Sequence, residues 1–384
     1  MKQASQTRLL RAAQVAVASA AVALLAACGG GDDNNNTSST PPGGVKLQVV
    51  SFGTSLSDTG TYSPVIQANF GGGRFTTNPG EVWTQKVAEY YGGTLTPAYL
   101  GGFGQPLVAT GALGYAQGGS MVTNPIGIGH AAPPLPDYAQ ATTVPIVTQV
   151  QQYLGAHGSF NSTQLVLVEG GANDILTAAQ TAQTAIATAV AGGSDPNTAT
   201  QQAVGAAAAT VQTAATQMVQ NVIAPILSAG ATHVVVVNVP DIAITPQAIQ
   251  GGAAAQQLFT ILTSAFNQTL AGTLTATGLM SKLIFVHSDT WIDGIVANYQ
   301  ANGFSVSNTG TACNLSAMAA AAQKFGEPNP SAFASSLFCS PQTYTVAGAD
   351  QSYMFADTIH PTTHLHALVA GLVEQQIAAT GVGK

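Results

Sequence analysis

Four short apolar runs, each followed by a glycine, a proline or a polar turn, constrain the fold of this chain more than any other feature. They occupy residues 47–52, 165–168, 233–239 and 283–286 and are rich in valine, isoleucine and leucine. Runs that are apolar on both faces are typical of the buried strands of a parallel sheet. The sequence therefore predicts a central parallel sheet that contains these four strands.

Helix-length segments separate these runs. Alanine-rich stretches lie around 198–229 and 246–273, and residues 362–380 carry apolar side chains at helical spacing. Strands that alternate with helices predict an α/β fold, here a three-layer α/β/α sandwich, whose active site gathers beyond the carboxyl ends of the strands. Residues 60–145 and 300–350 are rich in Gly, Pro and Asn, and we expect them to be long excursions that build the substrate pocket.

The charge balance excludes two classes of protein. Only 7% of the 384 residues are charged, with 9 Lys and Arg against 16 Asp and Glu and a formal net charge of −7. Binding of phosphate groups needs clustered basic side chains, so a nucleic-acid-binding protein is excluded. The hydrophobic fraction of 46% is ample for a core, so disorder is excluded for most of the chain.

The N-terminal residues 1–27 are predicted to be an export signal. A basic start precedes an apolar run that is too short to span a bilayer comfortably and that ends in small residues. The run closes on Leu-Ala-Ala-Cys, which resembles a bacterial lipobox and implies lipidation of Cys28. Gly29 after the cysteine implies, by the same resemblance, an outer-membrane lipoprotein. The alternative is an ordinary signal peptide with Cys28 merely near the cleavage site.

Residues 28–44 are predicted to be a flexible tether between the lipid and a folded domain at 45–384. The tether consists of Gly, Asp, Asn, Ser, Thr and Pro, which can bury almost nothing. We therefore expect an exported protein that is anchored to a membrane by its lipid, on the periplasmic or the cell-surface face. Secretion is expected if the lipobox is not used.

Two further cysteines, Cys313 and Cys339, lie in a loop-like stretch of this exported chain. An oxidising compartment favours a disulfide between them, and the loop that it closes would contribute about 3–4 kcal/mol in the chain-entropy model. Two free thiols are the alternative. A metal site is disfavoured, because no CxxC spacing accompanies the pair.

A serine and a histidine stand in motifs that suit nucleophilic catalysis. Ser55 follows the first apolar run on a predicted tight turn, where nearby backbone N–H groups could hold an oxyanion. His360 follows Asp357 by three residues and precedes a proline, so the carboxylate could orient the imidazole as a general base toward a serine. The alternatives are a helix-capping serine and a helix-start aspartate with a surface histidine.

Asn173 follows the second apolar run within the sequence Gly-Ala-Asn-Asp. Its side-chain amide could donate a hydrogen bond to a developing oxyanion. The alternative is an asparagine that merely forms the turn.

Together these pieces resemble the GDSL, or SGNH, hydrolases. The nucleophile motif Gly-Asp-Ser-Leu of that family corresponds to Gly-Thr-Ser-Leu at 53–56, and its Asp-x-x-His-Pro block corresponds to 357–361. The Gly-x-Asn-Asp block is found at 171–174, and a fourth block, which holds an oxyanion-donating glycine, is similar to 114–120. The segment 238–241 is similar to one that is common in the lipase and lecithinase branch.

The resemblance implies an SGNH-hydrolase, or flavodoxin-like, fold that uses neither a metal nor an organic cofactor. It implies a catalytic triad of Ser55, His360 and Asp357. It further implies an oxyanion hole formed by the Ser55 N–H, the Gly119 N–H and the side chain of Asn173.

The chain departs from the family pattern at two positions. Thr54 stands where the family has aspartate, and Gly114 stands where it has asparagine. Neither position belongs to the triad, so the implied chemistry is unchanged. The missing aspartate bears instead on how the turn that holds Ser55 is braced.

Neighbouring polar residues are assigned supporting or structural roles. Gly118 is the alternative oxyanion donor to Gly119, and Ser57 is expected to support the nucleophile turn. Asp350 is a poorer triad candidate than Asp357, because the motif supplies a three-residue step to the histidine. His364 and His366 lie on the last predicted helix and are expected to be structural.

The expected function is hydrolysis of carboxylic esters by acyl transfer to water. The partners expected are an acyl ester or lipid substrate and the membrane at the lipid anchor, with no nucleic acid and no obligate protein partner. A lipase or carboxylesterase leads, and a phospholipase or lipid acyltransferase is the nearest rival. A carbohydrate acetyl esterase would have only Trp83 and Trp291 as sugar platforms. A non-catalytic, lipid-binding surface lipoprotein is the alternative from another class.

Overall fold

The computed structural model of the chain describes residues 40–324, 326–327 and 329–383. The strands are β1 (Gln48–Phe52), β2 (Tyr99–Gly102), β3 (Gln105–Ala109), β4 (Gln164–Glu169), β5 (His233–Val237), β6 (Ile284–Val286), β7 (Val306–Thr311) and β8 (Tyr353–Phe355). The helices are α1 (Ser63–Phe70), α2 (Trp83–Tyr90), α3 (Ile146–His157), α4 (Ala172–Ala191), α5 (Pro196–Gln217), α6 (Ala224–Ser228), α7 (Pro246–Gln250), α8 (Gly252–Ala276), α9 (Ser288–Ala297), α10 (Leu315–Lys324), α11 (Ala349–Ser352) and α12 (Thr363–Ala379).

A parallel sheet lies at the centre of the fold, in the order β1-β4-β5-β6. Its strands are the four apolar runs of the sequence, each within two residues of the predicted bounds, so the predicted central sheet is confirmed. The chain around Gly114 adds one parallel bridge to Ser51 on the free side of β1. The carboxyl ends of β1, β4 and β5 meet at one edge, and this edge carries the polar motifs.

The strands bury both of their faces, which produces the three layers. Side chains alternate along a strand, so Val50, Val166 and Val234 pack with α3, α4, α5 and α8 on one face. Their neighbours Val49 and Leu165 pack with α2 and α12 on the other face. A central parallel sheet flanked by helices is thus the observed architecture.

Two predicted helices are interrupted, and each interruption has a local cause. The helix expected around 198–229 becomes a π-helix over Met218–Ile223, just before Pro225, whose missing N–H removes one rung of the helical ladder. The helix expected around 246–273 breaks at Gly251 and Gly252, where Gly252 has a φ of +77°.

The two excursions contain more regular structure than the sequence indicated. Residues 60–145 include α1, α2 and the antiparallel hairpin β2–β3, and 300–350 includes β7 and α10. Trp83 on α2 is 2% exposed and packs in the core, whereas a sugar platform requires an exposed ring face. Cys313 and Cys339 form a disulfide, with their Cα atoms 6.0 Å apart and both residues fully buried.

The predicted export signal and Cys28 lie outside the described residues, so lipidation stays a prediction. The last residues of the predicted tether are described. The Gly43 N–H donates to the Tyr90 carbonyl at 2.9 Å, and the Gly44 N–H donates to the Pro41 carbonyl at 2.8 Å, so 41–44 form a turn against α2. In the described part of the chain, no helix combines the length and the apolarity that a membrane crossing requires.

Candidate active site

The turn that follows β1 carries Ser55 at the edge of the sheet. Gly53 precedes it, and a Cβ atom on Gly53 would collide with the carboxyl group of Glu169, so glycine is required there by close approach. The Ser57 N–H donates to the Thr54 carbonyl at 3.1 Å, which closes the turn. The side chain of Ser55 is thereby presented at the carboxyl end of β1, as the sequence predicted.

His360 lies within hydrogen-bonding distance of both Ser55 and Asp357, although the serine and the aspartate are 302 positions apart in the chain. The Ser55 Oγ atom is 3.0 Å from His360 Nε2. His360 Nδ1 is 2.8 Å from Asp357 Oδ2 and 3.0 Å from Oδ1. With the proton on Nδ1 and shared with the carboxylate, Nε2 is free to accept the serine hydroxyl proton.

Asp357 is held as an anion despite its burial. Desolvation alone would raise its pKa, but the adjacent His360 and backbone N–H donors outweigh it and leave the pKa below its usual range. The donors are the N–H groups of Ser336 at 2.7 Å, Ile359 at 2.9 Å and His360 at 2.8 Å. The carboxylate can therefore orient His360 and stabilise its protonated form.

The segment that carries Ser336 comes from the second excursion and is attached by the disulfide. The short 3₁₀ turn Ser336–Phe338 directly precedes Cys339. Its partner Cys313 donates its N–H to the Ala356 carbonyl at 2.9 Å, one residue before Asp357. The disulfide thus joins the two chain segments that together surround the carboxylate of Asp357.

The three predicted oxyanion donors lie in the same cavity lining as Ser55 and His360. The Asn173 side chain is nearly buried, and its Nδ2 atom donates to the Ser120 carbonyl at 2.8 Å, which leaves its second N–H. Among the described residues, none accepts a hydrogen bond from the backbone N–H of Ser55 or of Gly119.

Gly118, the alternative donor, is already engaged. Its N–H donates to Asp58 Oδ2 at 2.8 Å, whereas Oδ1 of the same carboxyl accepts from the N–H groups of Gly60 and Thr61. Gly119 adopts a φ of +82°, and a Cβ atom there would collide with the Ile128 carbonyl. The geometry therefore favours Gly119 over Gly118 as the donor to an oxyanion.

Both departures from the family motif have a structural explanation. Thr54 donates its N–H and its hydroxyl to the Glu169 carboxyl, with Oγ1 at 2.9 Å from Oε1. Gly114 lies beside Ser51, and a Cβ atom there would come within 2.8 Å of the Thr96 carbonyl. A side chain at position 114 is therefore excluded, because the backbone of Thr96 lies too close to it.

The residues expected to be structural make no hydrogen bond to Ser55 or His360 in the described part of the chain. His366 is buried and accepts a hydrogen bond from the Trp83 N–H at 3.3 Å, and burial lowers its pKa to about 3. His364 Nδ1 contacts the Gln351 carbonyl at 2.6 Å. Asp350 opens α11 and accepts from Gln351, with no contact to His360.

Several groups that hold the site together were not predicted from the sequence. Glu169 and Asp58 bind the turns at 54 and 118, and Ser336 donates its N–H to Asp357. The side-chain amide of Gln149 pairs with both the N–H and the carbonyl of Gly53 at 2.9 Å. An acidic residue at the end of an otherwise apolar run, as in Val168-Glu169, was the available signal. A carboxyl group placed there must be buried and must find donors.

A cavity of about 960 Å³ adjoins Ser55 and His360. Apolar side chains from both excursions and from α4 and α9 line it, including Phe70, Phe75, Phe103, Ile128, Leu176 and Trp291. No Lys or Arg is found among the described residues of this lining. The cavity therefore suits an uncharged, apolar group better than an anionic one.

The titratable groups of the described chain do not form a metal centre. In those parts, no group of three or more His, Cys, Asp and Glu residues is placed to hold a metal ion. What the site can do with its own residues is generate a serine nucleophile beside a set of N–H donors. That arrangement suits the formation and breakdown of a tetrahedral acyl intermediate.

The stability of the folded protein should depend on pH because of Asp174, the residue after Asn173. Burial raises its pKa from 3.8 to about 7, although the Val122 N–H donates to it at 3.1 Å. Between these values the folded state keeps a proton that the unfolded chain has lost, so the free energy of unfolding falls as the pH rises. The total loss is on the order of a few kcal/mol. Asp174→Asn removes this titration, so its stability relative to the wild type should increase from about pH 4 to about pH 7.

Thermal melts of both proteins at about pH 5 and about pH 7.5 test this expectation. Asp195→Asn is the control, because Asp195 is an exposed helix cap whose pKa is lowered by the Thr198 N–H and therefore does not titrate in this window. A difference in melting temperature between Asp174→Asn and the wild type that does not change with pH would contradict the prediction.

Comparison with protein families gives a match over most of the chain. The family model described as GDSL-like Lipase/Acylhydrolase matches residues 49–373. The matched segment includes Ser55, Gly119, Asn173, Asp357 and His360. No protein among the curated sequences matches the chain.

Proposed function

We propose, on the premise that this chain belongs to the GDSL-like lipase/acylhydrolase family, that it cleaves carboxylic esters through an acyl-enzyme intermediate on Ser55. Membership of the family makes the chain a hydrolase. The observation that carries the finer assignment is the 3.0 Å contact between Ser55 Oγ and His360 Nε2, with Asp357 on the opposite nitrogen. These contacts are those that a serine nucleophile and its general base require.

The proposed reaction has two acyl-transfer steps. His360 takes the proton of Ser55 as the hydroxyl attacks the ester carbonyl, and the imidazolium then gives that proton to the leaving alcohol. In the second step a water molecule attacks the acyl-enzyme, with His360 taking the proton of the water and giving it to Ser55 as the acid is released. Asp357 stabilises the imidazolium in both steps.

The negative charge that develops on the carbonyl oxygen would be bound by three donors. These are the unengaged N–H groups of Ser55 and Gly119 and the side-chain amide of Asn173. Each donor of this kind is worth about 3–4 kcal/mol of transition-state stabilisation. Gly118 is left out, because its N–H donates to Asp58.

The substrate that the cavity supports best is a neutral ester with an apolar acyl chain. Phenylalanine and aliphatic side chains surround the space next to Ser55, and the charged residues of the lining are the acids Glu169, Asp241 and Glu327. A phospholipid headgroup would find acids and no basic partner there. This disfavours the phospholipase among the rival activities.

Hydrolysis of a series of p-nitrophenyl esters, from acetate to palmitate, tests the proposal. Each methylene that enters the apolar cavity can add up to about 0.8 kcal/mol, or about fourfold in kcat/KM, until the cavity is filled. We expect kcat/KM to rise with chain length from acetate and then to level off. A series that falls from acetate onward would contradict the acyl-chain assignment.

A folded protein that hydrolyses none of these esters would contradict the hydrolase assignment itself. Activity would then have to be sought as acyl transfer to an acceptor other than water, or the chain would be a lipid-binding protein. Ser55→Ala belongs in every series, because it separates catalysis at this serine from hydrolysis elsewhere on the surface.

A further inference from the structure

A buried carboxyl group contacts the turn that carries the nucleophile. Glu169 ends β4 and is 5% exposed. It accepts hydrogen bonds from the Thr54 N–H and from the Thr54 hydroxyl, whose oxygen is 2.9 Å from Oε1 and 3.1 Å from Oε2. All of these donors lie one residue before Ser55.

No cation compensates this carboxyl group. Within the described residues, no Lys, Arg or His forms an ion pair with Glu169, and the groups that face it are the neutral N–H and hydroxyl donors of Thr54 and the hydroxyl of Ser57. Burial raises its pKa above the usual range. An unpaired buried carboxyl group is unfavourable for stability in comparison with an apolar side chain of similar size. Its presence points to a role in the turn that it binds.

Two side chains fix the peptide groups on either side of Gly53. Gln149 pairs with the N–H and the carbonyl of Gly53, each at 2.9 Å, and Glu169 takes the next N–H, that of Thr54. The following N–H, that of Ser55, has no acceptor among the described residues. The two side chains thus hold the peptide groups before Ser55 and leave its own N–H available.

We propose that Glu169 is a positioning residue for Ser55, and that it supplies from β4 the carboxyl group that the family motif carries at position 54. A threonine at position 54 suits this arrangement, because its hydroxyl donates a hydrogen bond to Glu169. An aspartate at the same position would instead place a second carboxyl group about 3 Å from that of Glu169. The inference rests on the proposed function, since Ser55 is positioned for attack only if it is the nucleophile.

A double-mutant cycle tests whether positions 54 and 169 can exchange the carboxyl group. The sign of the coupling between the two substitutions decides, that is, whether the effect of Thr54→Asp on kcat changes from harmful to beneficial when Glu169 is removed. Glu169→Ala should lower kcat by about 10-fold or more while KM changes by less than about threefold, because positioning acts on the transition state. Thr54→Asp alone should also lower kcat, since two buried carboxyl groups then face each other and lose the hydroxyl donor of Thr54. The combination Thr54→Asp with Glu169→Ala should exceed Glu169→Ala alone by about fivefold or more in kcat.

The conservative change and a control accompany the cycle. Glu169→Gln keeps an acceptor for the Thr54 N–H and should retain about a third or more of wild-type kcat. If Glu169→Ala does not fold, Thr54→Asp with Glu169→Gln replaces it and should exceed Thr54→Asp alone, because the repulsion is gone. Thr54→Asp combined with Asp174→Asn is the control; Asp174 accepts from Val122, so no gain is expected.

The outcomes separate this inference from the proposed function. A wild-type protein with no esterase activity overturns both. An active wild type whose Glu169→Ala variant keeps the same kcat overturns only the positioning role. If Thr54→Asp lowers kcat equally with and without Glu169, the exchange of the carboxyl group between the two positions is overturned. If Glu169 is purely structural, its removal lowers the melting temperature, but Thr54→Asp stays harmful in its absence. All rates are measured well below the melting temperature of each variant.

Discussion

Ester hydrolysis should fall by about 10⁴-fold or more in Ser55→Ala. The variant loses the oxygen atom of the proposed nucleophile, whereas the proposed donors to the carbonyl oxygen stay in place. Its stability should be close to that of the wild type, because the Ser55 hydroxyl makes one hydrogen bond within the described residues, to His360. Purified protein, a p-nitrophenyl ester of the preferred length and a thermal melt measure both expectations.

A matched serine on the same turn provides the control. Ser57 lies two residues further along the chain and is buried, and Ser57→Ala should keep catalysis within about an order of magnitude because its hydroxyl faces Glu169 and not the cavity. Ser55→Ala that hydrolyses the ester at the wild-type rate would show that another group is the nucleophile.

The second large effect is expected at the carboxylate. Asp357→Asn should lower kcat by about 10⁴-fold, because an amide cannot hold the Nδ1–H tautomer of His360 with both of its side-chain atoms. Asp357 accepts from three backbone N–H groups as well as from the imidazole, so the new amide N–H groups would meet donors. KM should change little, since Asp357 is behind His360 with respect to the substrate.

Asp350→Asn is the control for the carboxylate. Asp350 stands seven residues earlier, opens a short helix and contacts the Gln351 side chain. We expect its replacement to change kcat by less than about twofold. Equal losses in the two variants, or full activity in Asp357→Asn, would contradict the assignment of Asp357 to the triad.

The sheet and the ends of its strands could be predicted because their signal is local. A run such as His233–Val237 is apolar on both faces, and a strand of that kind must lie inside a sheet covered on both sides. Ser55, Asn173 and His360 stand in short motifs whose spacing is visible in the sequence. The meeting of Ser55 and Asn173 at one edge then follows from the parallel arrangement of β1 and β4. His360 follows β8, which lies outside the central sheet.

The contacts that support the site could not be predicted, because they join residues far apart in the chain. Glu169 lies 115 positions from Thr54, and Asp58 lies 60 positions from Gly118. Nothing in the local sequence of Ser336 indicates that its N–H binds Asp357. Trp83 reads as an aromatic residue in a polar excursion, yet α2 closes one face of the sheet and buries it.

Labelling with a fluorophosphonate tests the central claim, an activated nucleophile at Ser55, most directly. The reagent phosphonylates a serine only where a general base and an oxyanion site act together, and it needs no knowledge of the natural ester. Intact-mass analysis should show one adduct per chain in the wild type, peptide mapping should place it on Ser55, and Ser55→Ala should remain unlabelled. A folded wild-type protein that takes up no phosphonate, or a Ser55→Ala variant labelled as fast as the wild type, would contradict the account.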